Sequence, residues 1–180
     1  MKVITVHPPE QWDESKEEFV YGKPFNLCLE HSLVSISKWE STWKKPFLSD
    51  APRSNLEALD YIRCMTLNKN VDPKWYTYLS QENLEEIRKY IDDPMTATTV
   101  AIRKEKGGYK PVVTSEVIYH WMLTYSIPFE TQHWHLNRLI TLIKVCQAKN
   151  HPSKKMSERE QLDRNRKLNA ERLKRLHTRG

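Results

Sequence analysis

An abrupt change of composition at Ser153 constrains this chain more than any other feature. From Ser153 to Gly180 there are ten Lys and Arg against four acids, no aromatic residue, and only Met156, Ala170 and four leucines as apolar material. A stretch so poor in apolar side chains cannot close a core of its own. The remaining 152 residues hold nineteen basic and nineteen acidic side chains, so the formal charge of +6 belongs to the C-terminal segment alone. The Asn150-His151-Pro152 break reads as a domain edge. The expected organisation is therefore a helix-rich body over 1–152 and a basic arm over 153–180. Ser157 and Glu160 have capping-box spacing and good helix formers follow, which predicts a helix over 158–176 when something supports it.

The body has ample material for one core, because the chain is 38% hydrophobic and includes six Trp and eight Tyr. No apolar run approaches the roughly 20 residues that span a bilayer, and Met1 to Glu10 lacks the apolar stretch of a secretory signal. The expectation is a soluble, non-exported protein with no membrane partner. Gly22, Gly107, Gly108 and Gly180 are the four glycines, and none stands in GxGxxG, GxxxxGK[ST] or GxSxG. P-loop, dinucleotide-binding and α/β-hydrolase chemistry thereby lose their usual sequence support. Cys28, Cys64 and Cys146 are odd in number and set among apolar neighbours, as reduced core thiols are.

Hydrophobic periodicity supplies the elements. Met1 to Val6 and Phe19 to Leu29, around Gly22-Lys23-Pro24, predict an N-terminal hairpin. Leu29, Leu33, Ile36, Trp39 and Trp43 recur at spacings of three and four, predicting a helix that closes before Pro46 with both tryptophans on its buried side and Glu40 polar beside them. Ser54 with Glu57 is a second capping box, opening a helix to about Asn68. Asp72-Pro73 starts a short helix through Leu79, and Ser80 caps another over 81–92 that Asp93-Pro94 stops. Met95 to Ile102 with Lys110 to Val113 reads as a second small hairpin. Thr114 or Ser115 caps a helix carrying Val117, Ile118, Trp121, Met122 and Tyr125, and Pro128 fits the first turn of a long last helix to about Lys149. Its inner face would be Leu136, Leu139, Ile140, Ile143 and Cys146. The fold class expected is mainly α: a multi-helix domain with one or two small β-hairpins and a basic C-terminal helix or arm.

Candidate chemistry is sparse. His133, Trp134 and His135 form the one His-dense spot, but two residues apart on a helix the imidazoles diverge, so structural or surface roles are favoured over metal. Glu30-His31, Glu116 and Glu130 could sketch acid–base work, yet first-turn glutamates are already explained by the helix dipole. No catalytic residue, metal or cofactor is expected, and hence no enzyme. Asn137 and Arg138 interrupt an apolar face, either to satisfy a buried helix end or a carboxylate such as Glu30 or Asp60, or to face a partner; the internal role is favoured. Six indoles are many for a small domain, so one or two should sit at an interface. Trp39, Trp43 and Trp134 are the candidates for an apolar partner groove, with Lys154, Lys155, Arg172, Lys174 and Arg175 as the basic partner contacts of the arm. The arm has phosphate-binding charge but no base-stacking aromatic, which makes nucleic acid a weaker alternative than protein.

Several runs resemble one family across nearly the whole chain. They are Glu30 to Ser41 (EHSLVSISKWES) with Phe47-Leu48, Leu59 to Thr66 (LDYIRCMT), Met95 to Thr99 (MTATT), Ser115 to Glu130, Trp134 to Leu139 (WHLNRL), Lys154 to Ser157 (KKMS) and Leu168 to Ala170 (LNA). These are similar to proteins encoded among the virion-assembly genes of tailed bacteriophages and related prophages, identified as tail assembly chaperones of long-tailed phages. The resemblance implies a non-enzymatic protein in the cytoplasm of an infected bacterium. It would bind the helical tape measure protein, or the tail tube protein, during tail morphogenesis, and self-association is compatible with it. A permanent virion part in the tail or head–tail junction, such as a tail terminator or connector, is the nearest alternative.

Overall fold

The computed structural model describes residues 1–20, 22–99, 112–150 and 158–176. The chain is mainly α with a small antiparallel hairpin. It divides into two compact units, Met1–Cys146 and Gln147–Gly180, with the division falling inside the last helix of the body rather than at Ser153.

Strands β1 (Lys2–Val6) and β4 (Phe25–Leu29) pair antiparallel, with Ile4 opposite Leu27 and Val6 opposite Phe25. Alternation sends Ile4, Val6, Leu27 and Leu29 into the core and Val3 and Thr5 outward. The predicted hairpin is therefore present, but its inner partner begins at Phe25. Phe19 belongs to a separate ribbon, β2 (Gln11–Asp13) with β3 (Glu18–Val20), beyond the prolines that interrupt the first ladder.

Helix α1 (Leu33–Trp43) buries Leu33, Ile36 and Trp39 and ends in a left-handed residue, Lys44. Helix α2 (Asn55–Met65) opens with the expected reciprocal cap. The Glu57 amide donates to Ser54 Oγ at 3.3 Å, and the Ser54 amide donates to Glu57 Oε2 at 2.7 Å. It stops at Met65, short of the expected Asn68. The next residues turn to run beside β4: Glu30 donates to the Met65 carbonyl at 2.9 Å and Leu67 to the Cys28 carbonyl at 2.8 Å. Asn68 completes that edge by accepting from the Cys28 amide at 2.7 Å.

Helix α3 (Lys74–Thr77) is a single turn, started where Asp72 Oδ1 accepts from the Lys74 amide at 3.0 Å. Helix α4 (Gln81–Asp92) has Ser80 and Asn83 as a reciprocal cap, and it packs against β1, where Asn83 Nδ2 also donates to the Thr5 carbonyl at 3.2 Å. The second hairpin expected over 95–113 falls mostly outside the described residues, and its described ends, 95–99 and 112–113, are not strand.

Helix α5 (Ser115–Thr124) buries Ile118 and Met122. The long helix expected from Pro128 is instead two elements, a 3₁₀ turn (Phe129–His133) and helix α6 (Leu136–Asn150), separated by extended backbone at Trp134. The interruption has a tertiary cause. His135 forms a β-bridge with Ser32, and the Leu136 amide donates to the His31 carbonyl at 2.9 Å, which an uninterrupted helix would spend internally. Beyond it the expected inner face forms, with Leu136, Leu139 and Ile143 at 0–1% exposure and Ile140 and Cys146 half-buried. In the second unit, helix α7 (Glu158–Leu176) spans the predicted range. Ser157 of its expected capping box lies outside the described residues.

One buried carboxylate joins three parts of the body. Glu40, on α1 and 8% exposed, accepts through Oε1 from the Phe47 amide at 2.7 Å and through Oε2 from Ser115 at 2.7 Å (amide) and 2.5 Å (hydroxyl). It thus caps the N-terminus of α5, where Thr114 makes no side-chain cap. Glu40→Ala strands these donors in a buried site and is expected to cost about 2–5 kcal/mol, whereas Ser115→Ala, removing one of them, costs about 1–2 kcal/mol. Urea unfolding monitored by circular dichroism measures both. By the same measurement Leu139→Ala or Ile143→Ala is expected to cost about 2–5 kcal/mol, and Leu56→Ala, on a 73% exposed side chain, under about 0.5 kcal/mol.

Candidate interaction site

Two sets of groups invite a functional reading, one inside the body and one on its surface. The inner set joins His31, in the link between β4 and α1, to α1 and α2 by hydrogen bonds, with the segment before α6 packed beside it. His31 Nδ1 lies 2.5 Å from the Tyr61 hydroxyl, which is 3.2 Å from Ser35 Oγ. Ser35 already donates to the Ser32 carbonyl at 2.8 Å, so its oxygen is left to accept from the Tyr61 hydroxyl. The His135 ring meets His31 edge-on at 4.9 Å, and His135 Nε2 bonds the Tyr90 carbonyl at 2.9 Å. Only a donor satisfies a carbonyl, so His135 carries its proton on Nε2. Its buried Nδ1 has no partner in the described structure. His31, Ser35 and Tyr61 are 2–3% exposed. The serine–tyrosine–histidine series is enclosed by core and joins elements, whatever its likeness to a proton relay.

Burial sets its titration. Desolvation, reinforced by the neighbouring His135, pushes His31 down to about 3, and desolvation likewise lowers His135 and raises the Tyr61 phenol. The other acid–imidazole candidates are surface pairs or caps. Glu30 meets exposed His133 at 3.3 Å rather than its neighbour His31. The Glu116 carboxyl is held below its usual range chiefly by its own amide at the α5 N-terminus. Among the described residues no group of three or more His, Cys, Asp or Glu is placed to hold a metal ion. His133 and His135 diverge as expected, through the turn before α6 rather than around one helix.

Asn137 takes the internal role: its Nδ2 donates to the carbonyls of Ile91 at 2.9 Å and Asp93 at 2.8 Å, closing the C-terminus of α4. Arg138 is on the surface, its guanidinium 4.2 Å from the Trp134 ring. Neither approaches Glu30 or Asp60 in a recorded bond; Asp60 instead accepts from the Trp43 indole at 2.9 Å and pairs with Arg63.

The three candidate groove tryptophans do not form one surface. Trp39 is 1% exposed, donates to the Glu57 carbonyl at 2.9 Å and packs edge-on against Phe47, so as a partner contact it is corrected to a core residue. Trp43 stacks on it at 6.2 Å and is half-buried. Trp134, 37% exposed, remains a surface candidate with Arg138. The sequence reading missed Trp12, which is 53% exposed on β2. Its only sequence signal was its position outside every helical stripe.

In the second unit, Leu162, Leu168 and Leu173 of α7 are 59%, 41% and 40% exposed, and Arg172 and Arg175 are exposed beside them. The side chain of Lys174 is not among those described, and Lys154 and Lys155 lie outside the described residues. A surface groove of about 700 Å³ beside β1 and α4 is lined by Met1, Lys2, Glu82, Glu85, Glu86, Lys89, Tyr90, Asp93 and Met95. Lys2 and Glu86 bridge at 2.5 Å within that lining. No helix among the described residues is long and apolar enough to cross a membrane. No protein-family model, curated protein or solved structure matches the chain.

The two histidines predict a stability profile. Their native pKa values lie below the unfolded value of about 6.5, so the unfolded chain binds protons first as pH falls. Their contribution is intact above about pH 6.5 and is lost as pH falls, for His31 down to about pH 3, at up to about 1.4 kcal/mol per pH unit for a group still unprotonated in the native state. Urea titrations between pH 7 and 4.5, above most carboxylate protonation, should show this slope, and His31→Phe should flatten it. His133→Ala, on an exposed side chain, should leave stability at pH 7 nearly unchanged.

Proposed function

We propose that this chain is a non-enzymatic assembly protein of a tailed bacteriophage. Its specific task is that of a tail assembly chaperone holding the tape measure protein in the cytoplasm of the infected host. The observation that carries this reading is the character of α7. It is a 19-residue helix, net basic, whose described side chains are all exposed, including three leucines. A helix whose leucines stand exposed gains stability from a partner that covers them. Trp134 with Arg138 offers a second, aromatic contact on the body. A partner with long helical segments and acidic stretches fits both chemistries. The resemblance of the sequence to tail assembly chaperones supplies the particular partner.

The test is affinity purification of the tagged protein from infected cells, followed by binding kinetics against the tape measure protein of the same phage. The triple reversal Arg172→Glu, Lys174→Glu, Arg175→Glu is expected to lower the association rate about tenfold, because exposed charges steer encounter. Trp134→Ala is expected to raise the dissociation rate about five- to thirtyfold, as loss of an aromatic anchor does. Mass spectrometry of finished virions should find the protein absent. Stoichiometric presence there, with no binding to a tail protein in the cell, would replace the chaperone with a structural component of the tail or head–tail junction. Retention of nucleic acid lost on raising salt, with no protein partner, would instead favour the arm as a nucleic-acid binder.

A further inference from the structure

Trp12 and Phe19 are the most exposed aromatic rings among the described residues, at 53% and 58%. They face each other across β2 and β3 as register partners, edge-on with centroids 5.1 Å apart. The ribbon that carries them is closed at its base by a tight backbone approach. At its base a Cβ on Gly22 would lie 2.5 Å from Pro8 Cγ, so only glycine lets the two chain segments close there. Among the described residues the ribbon has two strands and no third. The cross-strand pair steadies the ribbon. That contact still leaves more than half of each ring in water.

The ribbon is also acidic: Glu10, Asp13, Glu14, Glu17 and Glu18 stand against Lys16. An occupant that covers it must therefore bring apolar side chains on a basic framework. The same sequence contains such an element. Helix α7 exposes Leu162, Leu168 and Leu173 and carries seven basic residues to four acidic ones. The two charge excesses are opposite in sign, and each accompanies exposed apolar side chains.

We propose that the aromatic tip of the β2–β3 ribbon is a docking surface for helix α7 of a second copy of this chain. The contact is heterologous, ribbon to helix, so each copy retains a free ribbon and a free helix and association continues head to tail. Apolar contact with Trp12 and Phe19 holds the complex, and the opposed charges set its orientation and its salt dependence.

Sedimentation velocity on the purified full-length protein tests this. The wild type is expected to form concentration-dependent oligomers at about 50 mM salt and to revert to monomer at about 500 mM. Trp12→Ala with Phe19→Ala should be monomeric at low salt. The decisive arm uses two charge-reversed chains, one with Glu10→Lys, Glu14→Lys and Glu18→Lys, the other with Arg166→Glu, Arg172→Glu and Arg175→Glu. Each alone should be monomeric, because its ribbon and helix now repel, and mixing them should restore association in trans. Circular dichroism of every variant checks that the helices persist. A wild type that stays monomeric at low salt overturns the proposal. So does failure of the mixed, folded variants to associate, including the case where combining both sets in one chain restores a compact monomer. The protein is tested without a tail protein, so this failure and failure of tape measure binding are separately visible.

Discussion

Most of the body depends on side chains that close helix ends from far away in sequence. Glu40 is the clearest instance: its carboxylate reaches from α1 to the first amide of α5, 75 residues on, and at the same time fixes the backbone at Phe47. Likewise, His135 and Asn137 deliver donors to carbonyls at the C-terminus of α4 across about 45 residues. Each helix terminus leaves backbone groups unsatisfied, and burial makes them expensive unless a partner arrives. These tertiary caps let short helices joined by irregular segments share one core while the helix ends they reach find partners.

The same device shapes the region before α6. A continuous helix would present a longer apolar face, yet the chain breaks at Trp134 so that His135 can bridge Ser32 and bond Tyr90 while Leu136 bonds His31. The break brings the two buried imidazoles together. It also turns Trp134 outward beneath Arg138. Core histidine and surface tryptophan are thus consequences of one backbone choice. A polar chain inside the body and an aromatic contact on its surface come from three consecutive residues.

The surface features have a different logic. The exposed aromatic ribbon and the basic leucine-bearing helix are each short of burial, and each belongs to its own unit. Elements of this kind gain stability from a partner rather than from the fold. That common deficit underlies both the assembly role and the self-association argued above, and it makes salt and protein concentration the natural variables for this molecule.

Local chemistry was legible in the sequence wherever a signal and its consequence lie within a few residues. The Ser54–Glu57 cap, the span of α4 behind Ser80, the span of α7 and the inner face of α6 all follow from spacing alone, because helical periodicity and capping are short-range. The charge division between body and arm is likewise a property of the sequence. Tertiary structure decided what no spacing encodes. It left Trp12 more than half exposed on the β2–β3 ribbon. It made Glu40 a cap for a distant helix, gave Asn137 to α4 rather than to a carboxylate, and ended α2 at Met65 so that the chain could line β4. Burial and long-range hydrogen bonding depend on which elements meet, and that is settled by the shared core as a whole rather than by any one segment.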